Sequence, residues 1–386
     1  MSQAILKGIL LLSLEGAFFS LFVFFMRANA TSTVVLFLLL FVGIGLLFQF
    51  WKRGNVAVGE LFRERKALAA TGFVLMVLSL PFVFRGSPYL IHICVMAGLY
   101  VILALGLNFQ LGSTNVVNFA TAASYGIGAY TSALLAVHYG VSFWVGLFIS
   151  GSAASLFGLI LGFPCMKTKD YYLSLVTIAF GLIVYSLLVN FSWTGGPNGI
   201  PNIPSPSFLG HSLRDPLTLF GVELPPQSNY FYLVFLFAAG ALLVAHRLHH
   251  SRVGLTWNAI REDEIAARCQ GINVTWYKML AFCIDAFFGG VAGTVYAHYI
   301  GFISPENFAF IVSVVVVTMV ILGGMDNVWG VIVGAILLTI LPEKLRAVED
   351  FRLLLYGVIV VAMLMFRPQG LFPQKLRTYT RRGIDS

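Results

Sequence analysis

The side chains able to do chemistry crowd into one stretch of this chain, from His246 to Asp285, within a sequence that is otherwise almost wholly apolar. His246, His249 and His250 recur at helical spacing and have the ligand type for a metal ion. Glu262, Asp263 and Glu264, followed by Arg268 and Gly271, have the order of a short helix: acids at its positive start, a base near its negative end, and a glycine where a left-handed residue stops it. Asp285 is a lone carboxylate in an apolar run, a group of the kind that relays a proton, binds a cation or holds an amino group.

Histidines closing an apolar span also complement the helix dipole, so no metal site is expected from the three. The charges from 262 to 271 predict a self-sufficient helix outside the membrane, with Asn273 or Thr275 capping the next span near Trp276. Between Arg247 and Lys278 the chain is polar enough for another protein to grip. Catalytic patterns are missing: the sequence holds no G-x-x-x-x-G-K-[ST] to cradle phosphates, no H-E-x-x-H, and no Ser, His and acid set that stands out. Cys94, Cys165, Cys269 and Cys283 show no C-x-x-C pairing, so neither a disulfide framework nor a zinc site is indicated.

What must position these groups is set by composition. Of 386 residues, 59% are apolar and only 10% charged, and mean hydropathy is +0.88. The expectation is an all-α polytopic membrane protein, a bundle of about 10–12 transmembrane helices with broken or re-entrant segments, since about twenty apolar residues cross a bilayer. Candidate spans lie near 4–26, 33–51, 68–84, 89–110, 119–137, 142–163, 171–191, 229–247, 277–300, 308–323, 328–342 and 352–366. Basic joints at Lys52 to Lys66, Lys167 and Lys169, Arg247 to Lys278 and Lys375 to Arg382 fall on one side if both termini are cytoplasmic, and the long joint 192–228 falls on the other. Those positions account for the net charge of +8 through anionic lipid, with no nucleic-acid partner. Ala28-Asn29-Ala30 has the look of a cleavage site, but the preceding stretch is long and holds Glu15, so an uncleaved span is expected.

Glycines punctuate the spans. Gly289-x-x-x-Gly293 and Gly330-x-x-x-Gly334 let helices approach closely, and the break Leu322-Gly323-Gly324-Met325-Asp326-Asn327 suggests irregular backbone of the kind that lines a transport pathway. Asp285, Gly289, Gly293 and Ala297 form a stripe of small residues behind an acid whose insertion costs about 2.5–3.5 kcal/mol at mid-membrane. Lys278, two turns earlier, is placed to reach partway towards it. Otherwise a neighbouring hydroxyl or backbone group satisfies the acid, or it faces a cavity.

Glu264-Ile265-Ala266-Ala267-x-x-x-Gly271 resembles the E-A-A-x-x-x-G loop of ABC importer permeases, with Ile where the motif has an acid. The run A-I-R-E-D-E-I-A-A-R-C-Q-G-I-N-V-T-W-Y-K-M-L-A-F is similar to the LivM-type permease of branched-chain amino-acid importers. So are L-G-L-N at 105–108, G-I-G-A-Y-T at 126–131, D-Y-Y-L-S-L-V-T-I-A-F at 170–180, T-G-G-P-N-G-I at 194–200, G-F-I-S-P at 301–305 and L-G-G-M-D-N-V-W-G at 322–330.

The resemblance implies a transport subunit of the bacterial cytoplasmic (inner) membrane, carrying branched-chain or related amino acids. Residues 1–88 would be an N-terminal transmembrane extension, 89–372 the permease core, with coupling loop 248–276 and external loop 192–228, and 373–386 a cytoplasmic basic tail. Its implied partners are a second, LivH-like permease, two cytoplasmic ABC ATPases and an extracytoplasmic substrate-binding protein. ATP is used by the partners and no cofactor is held by this chain. Glu262, Glu264, Ala266, Ala267 and Gly271 would form the ATPase-coupling loop, Thr194, Gly195, Gly196 and Asn198 would meet the binding protein, and Asn108, Thr121 and Asp285 are candidate substrate-path residues. The chain departs from the pattern at Thr121, where the family has a larger polar residue, at Gly112 to Asn115, where a more glycine-rich turn is typical, and at Asp285, where a small or apolar residue is typical. Those departures keep open urea or short amides as substrates. An ion-coupled secondary transporter relaying protons through Glu15 or Asp285 is the alternative of another class.

Overall fold

The computed structural model describes residues 2–28, 65–166, 168, 171–208, 210–219, 221–344 and, beyond these, 354, 357, 358, 360, 361, 365 and 370–372. The expected span at 33–51, most of that at 352–366, Lys167, Lys169 and the tail 373–386 lie outside the described residues. The helices are α1 (Ser2–Arg27), α2 (Lys66–Val83), α3 (Pro88–Leu111), α4 (Thr121–Tyr139), α5 (Phe143–Cys165), α6 (Tyr171–Asn190), α7 (Gln227–His249), α8 (Arg252–Glu262), α9 (Glu264–Cys269), α10 (Val274–Ile300), α11 (Phe310–Gly323) and α12 (Val328–Lys344). Apart from α8 and α9, each coincides with an expected span to within a few residues. Seven helical segments among the described residues are long and apolar enough to cross a membrane. The joint after α6 holds two short hairpins, β1 (Ser207–Phe208) with β2 (His211–Ser212), and β3 (Leu217–Leu219) with β4 (Val222–Leu224).

The chain divides into two compact units. The first comprises residues 1–95, 215–232 and 340–356. Within it α1 and α2 lie together, with Leu11 and Ala69 buried between them and the Arg27 guanidinium donating to the Val83 carbonyl at 2.6 Å. Ile9, Phe18 and Phe24 point outward with large exposed areas, as lipid-facing side chains do.

The second unit comprises residues 96–214, 233–339 and 357–386. Its centre is α10, buried on nearly all sides by α4 and α5. The stripe expected to face protein does so: Asp285 and Ala297 are buried, Gly289 lies against Ser124, and Gly293 against the Tyr125 carbonyl. A Cβ at Gly293 would stand 2.1 Å from that oxygen, so only glycine permits this approach. Gly323, Gly330 and Gly334 bring α11 and α12 together in the same way. The break at 322–327 is the turn joining these two helices. Protein groups satisfy its backbone: the Leu322 and Gly323 carbonyls accept from Leu371 and Phe372 N–H at 2.8 and 3.2 Å.

Candidate functional site

Ser251 starts α8, its hydroxyl accepting from the Val253 and Gly254 N–H groups. Gly254, Trp257 and Ile260 then fall on one buried face. Trp257 is wholly buried and donates from Nε1 to the Tyr277 carbonyl at 2.9 Å, which fixes α8 to the first turn of α10. Glu262, expected at the start of the short helix, is instead the last residue of α8. Asp263 alone caps α9, its Oδ1 accepting from Ile265 and Ala266 N–H at 2.8 and 3.0 Å. Six residues later the helix stops as the sequence predicts, with Gly271 at φ 80°. Gly271 N–H bonds the Arg268 carbonyl at 3.0 Å and Ile272 N–H the Ala267 carbonyl at 3.2 Å, the paired bonds of a Schellman stop. Asn273, rather than Thr275, caps α10.

Glu264 pairs with Arg268 within α9 at 2.6 Å and ties the helix to α10 through Lys278 at 2.5 Å. Partial burial raises the Glu264 pKa, but hydrogen bonds and charge from Lys278 and Arg268 outweigh it and hold the carboxyl below its ordinary value. Lys278 is therefore spent on Glu264, correcting the expectation that it reaches towards Asp285. Ala267 is buried, whereas Ala266, Ile265 and Leu255 are exposed, Ile265 to 76%.

Behind α8 lies a buried acid, Asp326, marked in the sequence only by the glycine break around it. Asp326 sits in the α11–α12 turn at φ 68°. Its Oδ1 accepts from the Ser113 hydroxyl at 2.8 Å and lies 3.5 Å from His249 Nδ1, and its Oδ2 lies 3.4 Å from the Arg261 guanidinium. The Asp326 N–H donates to Asn108 Oδ1 at 2.9 Å. Asn108, a candidate path residue, is thus engaged with Asp326 at this helix end. His249 joins the same cluster, and among the described residues no group of three or more His, Cys, Asp or Glu side chains has metal-site geometry.

Asp285 is satisfied differently. Asn118 Nδ2 donates to its Oδ2 at 2.9 Å, while Oδ1 has no hydrogen-bond partner among the described residues. The partner is neither a hydroxyl nor backbone but an amide in the non-helical link 115–120, which enters the buried start of α4. Ala120, the residue before α4, has no polar side chain to cap it, so Asn118 Oδ1 takes the Ala120 N–H at 2.8 Å and the Ser313 hydroxyl of α11 takes that of Ala122 at 2.9 Å. Thr177 of α6 accepts from Phe119 N–H. Thr121 is buried at this helix start with its hydroxyl unpartnered among the described residues. Two of the three candidate path residues therefore gather around one link, through Asn118. Asn118 and Ser313 were legible only as polar residues in apolar surroundings.

At the other end of unit 2, Thr194 and Gly196 are buried and Gly195 is half-buried. The Thr194 hydroxyl closes on the Leu188 carbonyl at 2.8 Å, and Ile200 pairs with Ile303. Of the residues expected to meet a binding protein, Asn198 is the exposed one. His298 clamps the same region, its Nδ1 2.7 Å from the Pro204 carbonyl and its Nε2 2.9 Å from the Ser132 hydroxyl.

Residues 89–366 match the family described as branched-chain amino acid transport system / permease component. The chain is 40% identical over 312 residues to the high-affinity branched-chain amino acid transport system permease protein LivM of Salmonella typhimurium, covering 78% of this chain and 73% of that protein. Identity to the LivM protein of Escherichia coli is 38%, covering 82% and 76% of the two chains. The LivH permease of the Escherichia coli system is 25% identical, covering 68% of this chain and 89% of LivH. No solved structure matches the chain.

Proposed function

The chain belongs to the family of branched-chain amino acid transport permease components, and from that premise we propose that it is the LivM-like subunit of an ATP-driven importer of branched-chain amino acids. It pairs with a LivH-like permease, two ABC ATPases and an extracytoplasmic binding protein, in the cytoplasmic membrane of a bacterium. Both termini and the α8–α9 end face the cytoplasm. The single observation that carries this reading is the α8–α9 pair: two capped helices outside the long spans, locked to α10 by Trp257 and Glu264, with Ile265 and Leu255 exposed. An ATPase groove that takes Ile265 and Ala266 moves α10 with it. On the opposite face Asn198 receives the binding protein.

Within the path, the Asp285 oxygen that has no hydrogen-bond partner among the described residues attracts the ammonium group of an amino acid, and the link at Asn118 supplies the movement that opens access to it. With no phosphate-cradling motif in the sequence, ATP is bound and hydrolysed by the partners in this reading. The test is reconstitution with the second permease, both ATPases and the binding protein in liposomes, scoring uptake of labelled leucine. Uptake that requires ATP, with no nucleotide binding by this chain alone, is the expected result. Leucine uptake by this chain alone on an ion gradient would overturn it.

A further inference from the structure

We infer that Asp326 is the positioning residue that carries movement of the ATPase-facing helix α8 into the membrane core, an inference that rests on the importer reading above. Its carboxylate divides between elements that are far apart in sequence. Oδ1 serves Ser113 after α3 and faces His249 at the end of α7, and Oδ2 faces Arg261 on α8. The backbone N–H of the same residue binds Asn108 of α3. One residue therefore joins α3, α7, α8 and the α11–α12 turn.

The joint has little slack. Asp326 holds a left-handed φ of 68°, which aspartate adopts at modest cost, and there its N–H meets Asn108 Oδ1. A Cβ at Gly112 would stand 2.5 Å from Asp326 N and 2.3 Å from Asn108 Oδ1, so α3 and the turn are already in contact. A second line runs beside the first: Trp257 of α8 lies 5.6 Å from Phe109 of α3, and that ring stacks on His249 at 5.8 Å. Arg261 reaches the surface, its side chain 31% exposed against 4% for Asp326. A push on α8 thus arrives at α3 and α11 through a carboxylate whose two oxygens are both engaged. Asparagine accepts on one side only and turns an NH2 group either towards Arg261 or towards Ser113 and His249.

The experiment uses the complete reconstituted complex with Asp326→Asn, Arg261→Gln, Arg261→Lys and the double variant Asp326→Asn/Arg261→Gln, measuring leucine uptake and ATP hydrolysis per assembled complex. Asp326→Asn and Arg261→Gln should each keep ATP hydrolysis within about twofold of wild type and lose about tenfold in leucine moved per ATP. Arg261→Lys should restore most of that ratio, and the double variant should be no worse than either single one, as for two residues acting through one contact. An unchanged ratio in both single variants, even with both activities reduced together, would overturn the inference, because a merely structural contact lowers the two in parallel. Failure of both to assemble would mark a folding contact and overturn it equally. A wild-type complex without ATP-driven uptake would instead remove the importer reading, and this inference with it.

Discussion

Replacing Gly271 with Val isolates the value of the α9 stop. Gly271 sits at φ 80°, and apart from its chain neighbours no described atom lies within 4 Å of where its Cβ would be, so the penalty is chiefly conformational. A left-handed backbone costs an L-residue about 1–2 kcal/mol. The bonds at risk are the two Schellman bonds, Gly271 to Arg268 at 3.0 Å and Ile272 to Ala267 at 3.2 Å, which close a helix only six residues long. A cost of that size favours the open form by a factor of about 5 to 30. Amide exchange at residues 271 and 272 should therefore quicken by that factor while α10 keeps its protection. In the reconstituted importer, ATPase co-purification and leucine uptake should fall together, because the docking helix no longer holds its shape. Gly271→Asn should lie between the two, since asparagine visits this region at less cost. Wild-type exchange and wild-type uptake in Gly271→Val would show that neither the left-handed stop nor this helix matters to coupling.

Gly293→Ala should lower thermal stability by about 1–3 kcal/mol through overpacking against the Tyr125 carbonyl, whereas Gly240→Ala, with nothing within 4 Å, should be neutral or stabilising; detergent melting curves decide, and equal melting refutes the close approach. Asn118→Ala strands both Asp285 Oδ2 and the Ala120 N–H and should cost about 1–3 kcal/mol for each group left unpaired, whereas Asp285→Asn should assemble normally yet lose leucine uptake; unchanged uptake in Asp285→Asn would remove Asp285 from the path. The Glu264 carboxyl, held below its ordinary value by Lys278 and Arg268, stabilises the fold fully above about pH 4.5 and loses that contribution as pH falls through its folded-state pKa. The melting difference between wild type and Glu264→Gln should thus be present at pH 7 and shrink as pH falls below about 4.5, and a difference that is the same at every pH refutes the pairing.

The spans were legible because a bilayer demands long apolar runs, and α9 because its signals are local: Asp263 before it, Arg268 within it, Gly271 after it. The stripe from Asp285 to Ala297 was legible for the same reason, every fourth residue of one helix sharing a face. α8 was not read, since its burial pattern of Gly254, Trp257 and Ile260 is embedded in polar sequence that resembles a loop. The hairpins between Ser207 and Leu224 are two or three residues a strand, too short for alternation to register. The hub at Asp326 could not be read at all, because Ser113 stands 213 positions away and nothing local marks the pair. Asn118 escaped for a similar reason, its partner Asp285 being 167 positions on. Lys278 was misdirected because spacing along α10 brought Asp285 into range but said nothing of Glu264 beside it.

The bonds from Leu371 and Phe372 to Leu322 and Gly323, with Asn327 Nδ2 donating to the Phe372 carbonyl at 2.9 Å, set an order of assembly. The α11–α12 turn leaves the ribosome some 49 residues before the segment that seals it, so it enters the membrane with its carbonyls open. Until residue 372 is made, the Leu322 and Gly323 carbonyls lack the N–H partners they have in the fold. The late segment is thus a latch that the rest of the nascent chain must wait for. A ribosome stalled short of it would leave the turn around Asp326 unsealed, however well the preceding helices had inserted.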